Sequence, residues 1–165
     1  MSAKQVIGSL TELLHIHQEL LTCAKEKAAA IKNNDMVSLE KLVRAETALI
    51  HKGQVQEKIR SKEVAAFFDR CGQAPDELTV GAMLPHVTKE EQAELERTQS
   101  ALIETIMALQ VENERNQLLI QESLSFVNMS LDLLLPSAEH TSYQPPQQKE
   151  RHGYEEGYST FDSKA

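Results

Sequence analysis

The run from Asn113 to Leu135, NERNQLLIQESLSFVNMSLDLLL, constrains the fold more than any other stretch. It has the densest apolar content in the chain, broken by polar residues at helical spacing. At 100° per residue, Ile120, Leu124, Val127, Leu131 and Leu134 fall on one line of a helix. Leu119, Phe126 and Leu133 fall on a second line about 120° away, with Ser123 and Ser130 between. Two such lines cover a wider arc than the roughly 100° an amphipathic helix needs to face one core. Either the helix is central and touches two sister helices, or one line is spare and meets a partner.

Upstream, the helical pattern continues without proline from Lys89, and Thr88-Lys89-Glu90-Glu91 reads as a capping box. One helix over that span is about 70 Å long at 1.5 Å per residue. The chain ahead of it supplies two more helices. Val6, Leu10, Leu13, Leu20, Ala24 and Ile31, with Ile7, Leu14, Leu21 and Ala28 beside them, give a first helix over residues 3–32 with the width of a bundle face. That helix is only about 45 Å long. Part of the third helix is therefore short of intrachain neighbours. His17 sits on the apolar line as a core histidine.

Asn33-Asn34-Asp35 breaks the pattern, and Asp35 caps a second helix over residues 36–70. The ends of that helix are apolar at Leu39, Val43, Ile50, Val64 and Phe67. Its middle places Glu46, Gly53, Glu57 and Arg60 on the same line, which predicts a solvated, bendable midsection in preference to a functional polar layer. Residues 71–87 hold Gly72, Pro75, Gly81 and Pro85 around Leu78, Val80, Met83 and Leu84. They read as a connector with one or two helical turns beginning at Asp76.

The expected fold is all-α, an elongated antiparallel three-helix bundle with a long C-terminal helix and a short helical connector. Residues 1–135 form the helical domain. Residues 136–165, rich in Gln, Glu, Ser, Pro and Gly with no apolar period, are expected to be a disordered tail. The tail carries Tyr143, Tyr154, Tyr158 and Phe161 singly among polar residues, a pattern compatible with a short docking motif at Tyr154, Tyr158 and Phe161 or with a merely soluble tail.

Composition narrows the function. With 25 acidic and 17 basic residues among 165, the net charge of -8 is opposite in sign to the footprint of a nucleic-acid or anionic-membrane binder. No apolar run approaches a membrane span and the N-terminus lacks a signal peptide, so a cytosolic location without membrane insertion is expected. Cys23 and Cys71 have no metal-ligand spacing and read as reduced thiols. Histidines 15, 17, 51, 86, 140 and 152 lack the i, i+4 spacing of paired ligands, so no metal site is expected. With no Gly-rich phosphate loop, no HExxH and no nucleophile near a base, an enzyme is not expected. A chaperone-like binding module and a self-associating structural coiled coil both remain open.

The chain resembles the FlgN family of bacterial flagellar type III export chaperones. The likeness spans residues 5 to about 135. It rests on Leu13-Leu14 and Ala24-Lys25-Glu26-Lys27, on Asn34-Asp35 ahead of Leu39, Leu42 and Glu46, and above all on Asn113, Asn116, Leu118, Leu119, Ser123, Leu124, Phe126 and Val127. The ending Phe161-Asp162-Ser163-Lys164-Ala165 is similar to tails of Gram-positive members. The resemblance implies a cytosolic protein, without enzyme activity or cofactor, that holds the hook-filament junction proteins FlgK and FlgL by their C-terminal helical part until export. It further implies delivery to the export gate, FlhA, and leaves both a monomer and a homodimer open for the free chain. Substrate binding is implied for the C-terminal part of the chaperone. On this chain that gives Asn116, Leu119, Ser123, Phe126, Ser130 and Leu133, with Asn113 and Asn116 as a polar layer that sets register. The expected division is that Ile120, Leu124, Val127 and Leu131 form the intrachain core, while Leu119, Phe126 and Leu133 face the partner.

Overall fold

The computed structural model describes residues 3–72 and 78–135. It contains α1 (Lys4–Lys32), α2 (Met36–Cys71), α3 (Val80–Met83), a 3-10 turn at Leu84–His86, and α4 (Lys89–Leu134). The chain divides into two units, Met1–Asn128 and Met129–Ala165. In the first, three long helices pack together; the second begins within the last turns of α4.

Local chemistry sets the helix ends. The Asp35 carboxylate accepts from the Ser38 amide at 3.0 Å and caps α2, while Asn34 makes the reversal with φ 53°, a left-handed conformation that asparagine tolerates. Gly72 closes α2 at φ 65°, where a Cβ would be strained. At the start of α4 the capping box is formed: the Glu91 amide donates to Thr88 Oγ1 at 3.3 Å, and the Thr88 amide donates to Glu91 Oε2 at 3.4 Å. Among the described residues the connector has a helix starting at Val80, capped by Thr79 Oγ1, which accepts from the Ala82 amide at 3.2 Å. Asp76, the expected start, lies outside the described residues.

Helices α1 and α2 pack closely and antiparallel. The Cys23 thiol donates to the Leu42 carbonyl at 3.4 Å, Lys52 pairs with Glu12 at 2.8 Å, and Gln56 reaches the Ser9 carbonyl at 3.5 Å. The polar middle of α2 is mostly exposed, as its composition suggested, but its line toward α1 is half-buried at Glu46, Gly53 and Arg60. Lys27 Nζ donates to Glu46 at 2.6 Å in a pair whose side chains are largely shielded from water, and Gly53 lies against the fully buried Ile16. The midsection is a polar layer packed on α1, and α2 runs through it unbroken.

Helix α4 runs in the same direction as α1. The Ala3 amide donates to Glu91 Oε1 at 3.0 Å, and further along Asn116 Nδ2 donates to the Ala24 carbonyl at 2.8 Å. The result is an up-down-up bundle with α1 in the middle, which explains why α1 holds most of the buried residues. At its base a compact core joins Val6, Ile7 and Leu10 of α1, Val64, Phe67 and Phe68 of α2, Val80 and Met83 of α3, and Leu95 of α4. Phe67 and Phe68 meet edge to face with centroids 5.6 Å apart, and His86 caps the same cluster 6.2 Å from Phe68. The connector therefore acts as a plug that closes the base. His17 is half-buried, its Nδ1 donating to the Leu13 carbonyl one turn back at 2.8 Å.

Candidate functional site

The residues that pack α4 against the bundle recur at helical spacing: Leu95 and Thr98 are buried, and Leu102, Ile106, Leu109 and Glu112 are half-buried. Asn116, only 5 % exposed, continues this face, and Leu119 next to it is half-buried. Beyond Leu119 the same direction is occupied by Ile120, Ser123, Leu124 and Val127. These are exposed, Leu124 at 56 % and Val127 at 51 %.

The axial register accounts for the exposure of Leu124 and Val127. Asn116 is level with Ala24, and about eight residues on from Ala24 lies Lys32, the end of α1. The same advance along α4 reaches about Leu124 at equal rise per residue. Past that level α1 has turned back into α2, and the bundle-facing line of α4 has no helix of the hairpin beside it.

The expected division between a core line and a partner line is corrected accordingly. Ile120, Leu124 and Val127 do point in the bundle direction, but they are not core. Phe126, on the other line, is 65 % exposed, whereas Leu119 on that same line is half-buried because α1 still runs beside it. Burial on α4 is decided by position along the axis as well as around it. In the second unit Leu131 and Leu133 are exposed and Ser130 is half-buried.

The two asparagines separate. Asn113 is exposed, while Asn116 reaches across to α1 and keeps its Oδ1 buried without a hydrogen-bond partner among the described residues. Asn116 is thus built into the bundle and does not present its amide on an accessible face. Ser123 is exposed and donates to the Leu119 carbonyl at 2.9 Å, a bond within the helix. The proposed tail motif at Tyr154, Tyr158 and Phe161 lies outside the described residues. A shallow open cleft of about 430 Å³ beside the α1–α2 turn is lined by Glu26, Ala30, Asn33, Asp35, Lys41 and Leu42, and includes none of the residues expected to bind the partner.

Electrostatics around the bundle are those of structural contacts. The Lys52 ammonium beside Glu12 holds that carboxyl below the usual glutamate range, and Glu12 in turn raises Lys52. Burial, then the Glu46 carboxylate, push the Cys23 thiol up, away from the reactive thiolate. Among the described residues no three potential ligands gather around a point that could hold a metal ion, and no helix is long and apolar enough to cross a membrane. What the geometry offers is surface: an apolar helix continuing beyond the hairpin that supports it.

Residues 1–151 match the FlgN family, described as FlgN protein. The chain belongs to the FlgN family. A relative, the uncharacterized protein YvyG of Bacillus subtilis (strain 168), is 30% identical over 143 residues, covering 87% of each chain. No solved structure matches the chain. Membership of the FlgN family supports a flagellar export chaperone-type role, consistent with an all-helical fold that exposes apolar side chains on its longest helix.

Proposed function

We propose that this FlgN-family protein is a cytosolic chaperone of flagellar type III export that binds the C-terminal helical region of the hook-filament junction proteins FlgK and FlgL. It acts by binding and not by catalysis, and it hands its cargo to the export gate, FlhA. The reading is supported chiefly by one observation: the bundle-facing line of α4 continues past Asn116 as exposed Ile120, Leu124 and Val127, with Leu124 at the level of Lys32 and Val127 beyond it.

The physical logic follows from what such a cargo needs. Terminal helices that pack only in an assembled polymer leave apolar faces open in the monomer, where they promote aggregation or early assembly. A helix laid along Ile120, Leu124 and Val127 takes the place that α1 occupies lower down, and both apolar faces leave water. Phe126 lies beside this line and adds an aromatic anchor at its edge.

Pull-down and calorimetry with C-terminal fragments of FlgK and FlgL test the proposal. Leu124→Glu with Val127→Glu should keep the melting curve and abolish capture of both fragments. Undiminished capture by that folded variant removes this line from the site. Light scattering separates the structural coiled-coil reading, under which the free protein forms an oligomer that added fragment does not dissociate.

A further inference from the structure

A second apolar line runs along α4 on the side turned away from the bundle. Ile103, Met107, Val111 and Leu118 fall within about 80° of one another on the helix wheel, roughly opposite Asn116. All four lie in the first unit and are 50 % to 62 % exposed. Single exposed apolar residues are ordinary, but four large ones in line over four turns form a patch. Their spacing, i, i+4, i+8 and i+15, is that of the anchors of a helix docked lengthwise.

The charges within this line are acidic. Between Glu96 and Glu122, every charged residue within the same arc of about 100° is acidic: Glu96, Glu104, Glu114 and Glu122. All four are exposed. Arg97 and Arg115 both lie about 20° outside the arc, and Arg115 leans toward Glu112, 3.7 Å away. Two copies of this face packed together would set acidic rows against each other, which disfavours self-association through it. An amphipathic helix carrying lysine and arginine beside its apolar seam matches both the seam and the charge.

We propose that the outward face of α4, centred on Met107, Val111 and Leu118, is a second docking surface, and that it takes a basic amphipathic helix of a partner protein. It is separate from the Ile120, Leu124 and Val127 line and does not depend on what occupies that line. An acidic rim of this kind governs encounter rate and partner choice more than final affinity, so binding through it is sensitive to salt.

The test uses the full chain and two synthetic helical peptides about four turns long with the same leucine seam. One carries lysine and arginine beside the seam and the other carries glutamate. The basic peptide should bind, weaken several-fold between low and high salt, and weaken at least tenfold against the Met107→Gln, Leu118→Gln variant, which leaves the acidic residues in place. Leu124→Glu with Val127→Glu should leave that affinity unchanged. Circular dichroism confirms that each variant is folded, and the peptide comparison on the wild-type chain decides the matter even if one is not. Equal binding of the glutamate peptide, full binding to the Met107→Gln, Leu118→Gln chain, or a homodimer dissolved by those two substitutions would each overturn the proposal.

Discussion

Asn116 offers a quantitative check on how α4 is seated. Its Nδ2 bond to the Ala24 carbonyl at 2.8 Å spans two helices, and a buried hydrogen bond of this kind contributes about 0.5–1.5 kcal/mol. The Ala24 carbonyl also accepts the i+4 amide within α1, so removing Asn116 does not leave it bare. The same side chain keeps Oδ1 buried without a partner among the described residues, at a desolvation cost of about 1–3 kcal/mol. Asn116→Leu removes both terms and buries extra apolar surface, so the balance favours the variant by about 1 kcal/mol. For a chain of this size that is a rise in Tm of about 2–4 °C. Asn116→Asp keeps the shape, replaces the donor with a charge facing a carbonyl, and should lower stability by several kcal/mol at neutral pH. Urea and thermal melts followed by circular dichroism measure all three proteins. A loss of more than about 1 kcal/mol in Asn116→Leu would refute the reasoning, because the amide would then be fully satisfied and the polar contact a net stabiliser.

Two further outcomes follow from burial and charge. Val127→Glu should melt within a few degrees of wild type because Val127 is half exposed, whereas Leu95→Glu in the basal core should abolish the cooperative transition; unfolding of the Val127→Glu protein would put that residue back in the core. Lys52 depresses the Glu12 pKa, so the pair stabilises the fold above the ordinary glutamate range and that stability is lost as pH falls through the lowered value. Glu12→Gln should therefore flatten the acid limb of a stability-pH profile at low salt, and a profile parallel to wild type would show that this exposed pair contributes nothing.

Much of the fold is legible in the sequence because the signals are local. Asp35, the Thr88 and Glu91 box and the Asn34 reversal act within a few residues of themselves, so the three long helices appear with nearly the observed ends. The helix at Val80 is also a local matter, since Thr79 is a competent cap and Val80 and Met83 are buried. The polar middle of α2 was read as solvated because Glu46 and Gly53 look unsuited to a core, yet a lysine from α1 and the bulk of Ile16 suit each of them. On α4, periodicity separates lines around the helix but carries no information about where a neighbouring helix stops. The mismatch in helix length was the one signal that pointed to an exposed end, and it outweighs the expectation of a core line at Ile120, Leu124 and Val127. Asn113 and Asn116 look alike as residues; they differ only in which side of α4 faces Ala24.

The base of the bundle has a consequence for how the protein is made. Val6, Ile7 and Leu10 leave the ribosome early, but the core they belong to also requires Phe67, Phe68, Met83 and Leu95. The α1–α2 hairpin can form from residues near in sequence, which makes it the fast local step. Its open end meanwhile carries bare phenylalanines until the plug and the first turns of α4 emerge. The α1 residues of this core are thus made early and shielded late, and the nascent chain passes through a stage in which its basal core, and not the exposed end of α4, is the surface most prone to misassociation.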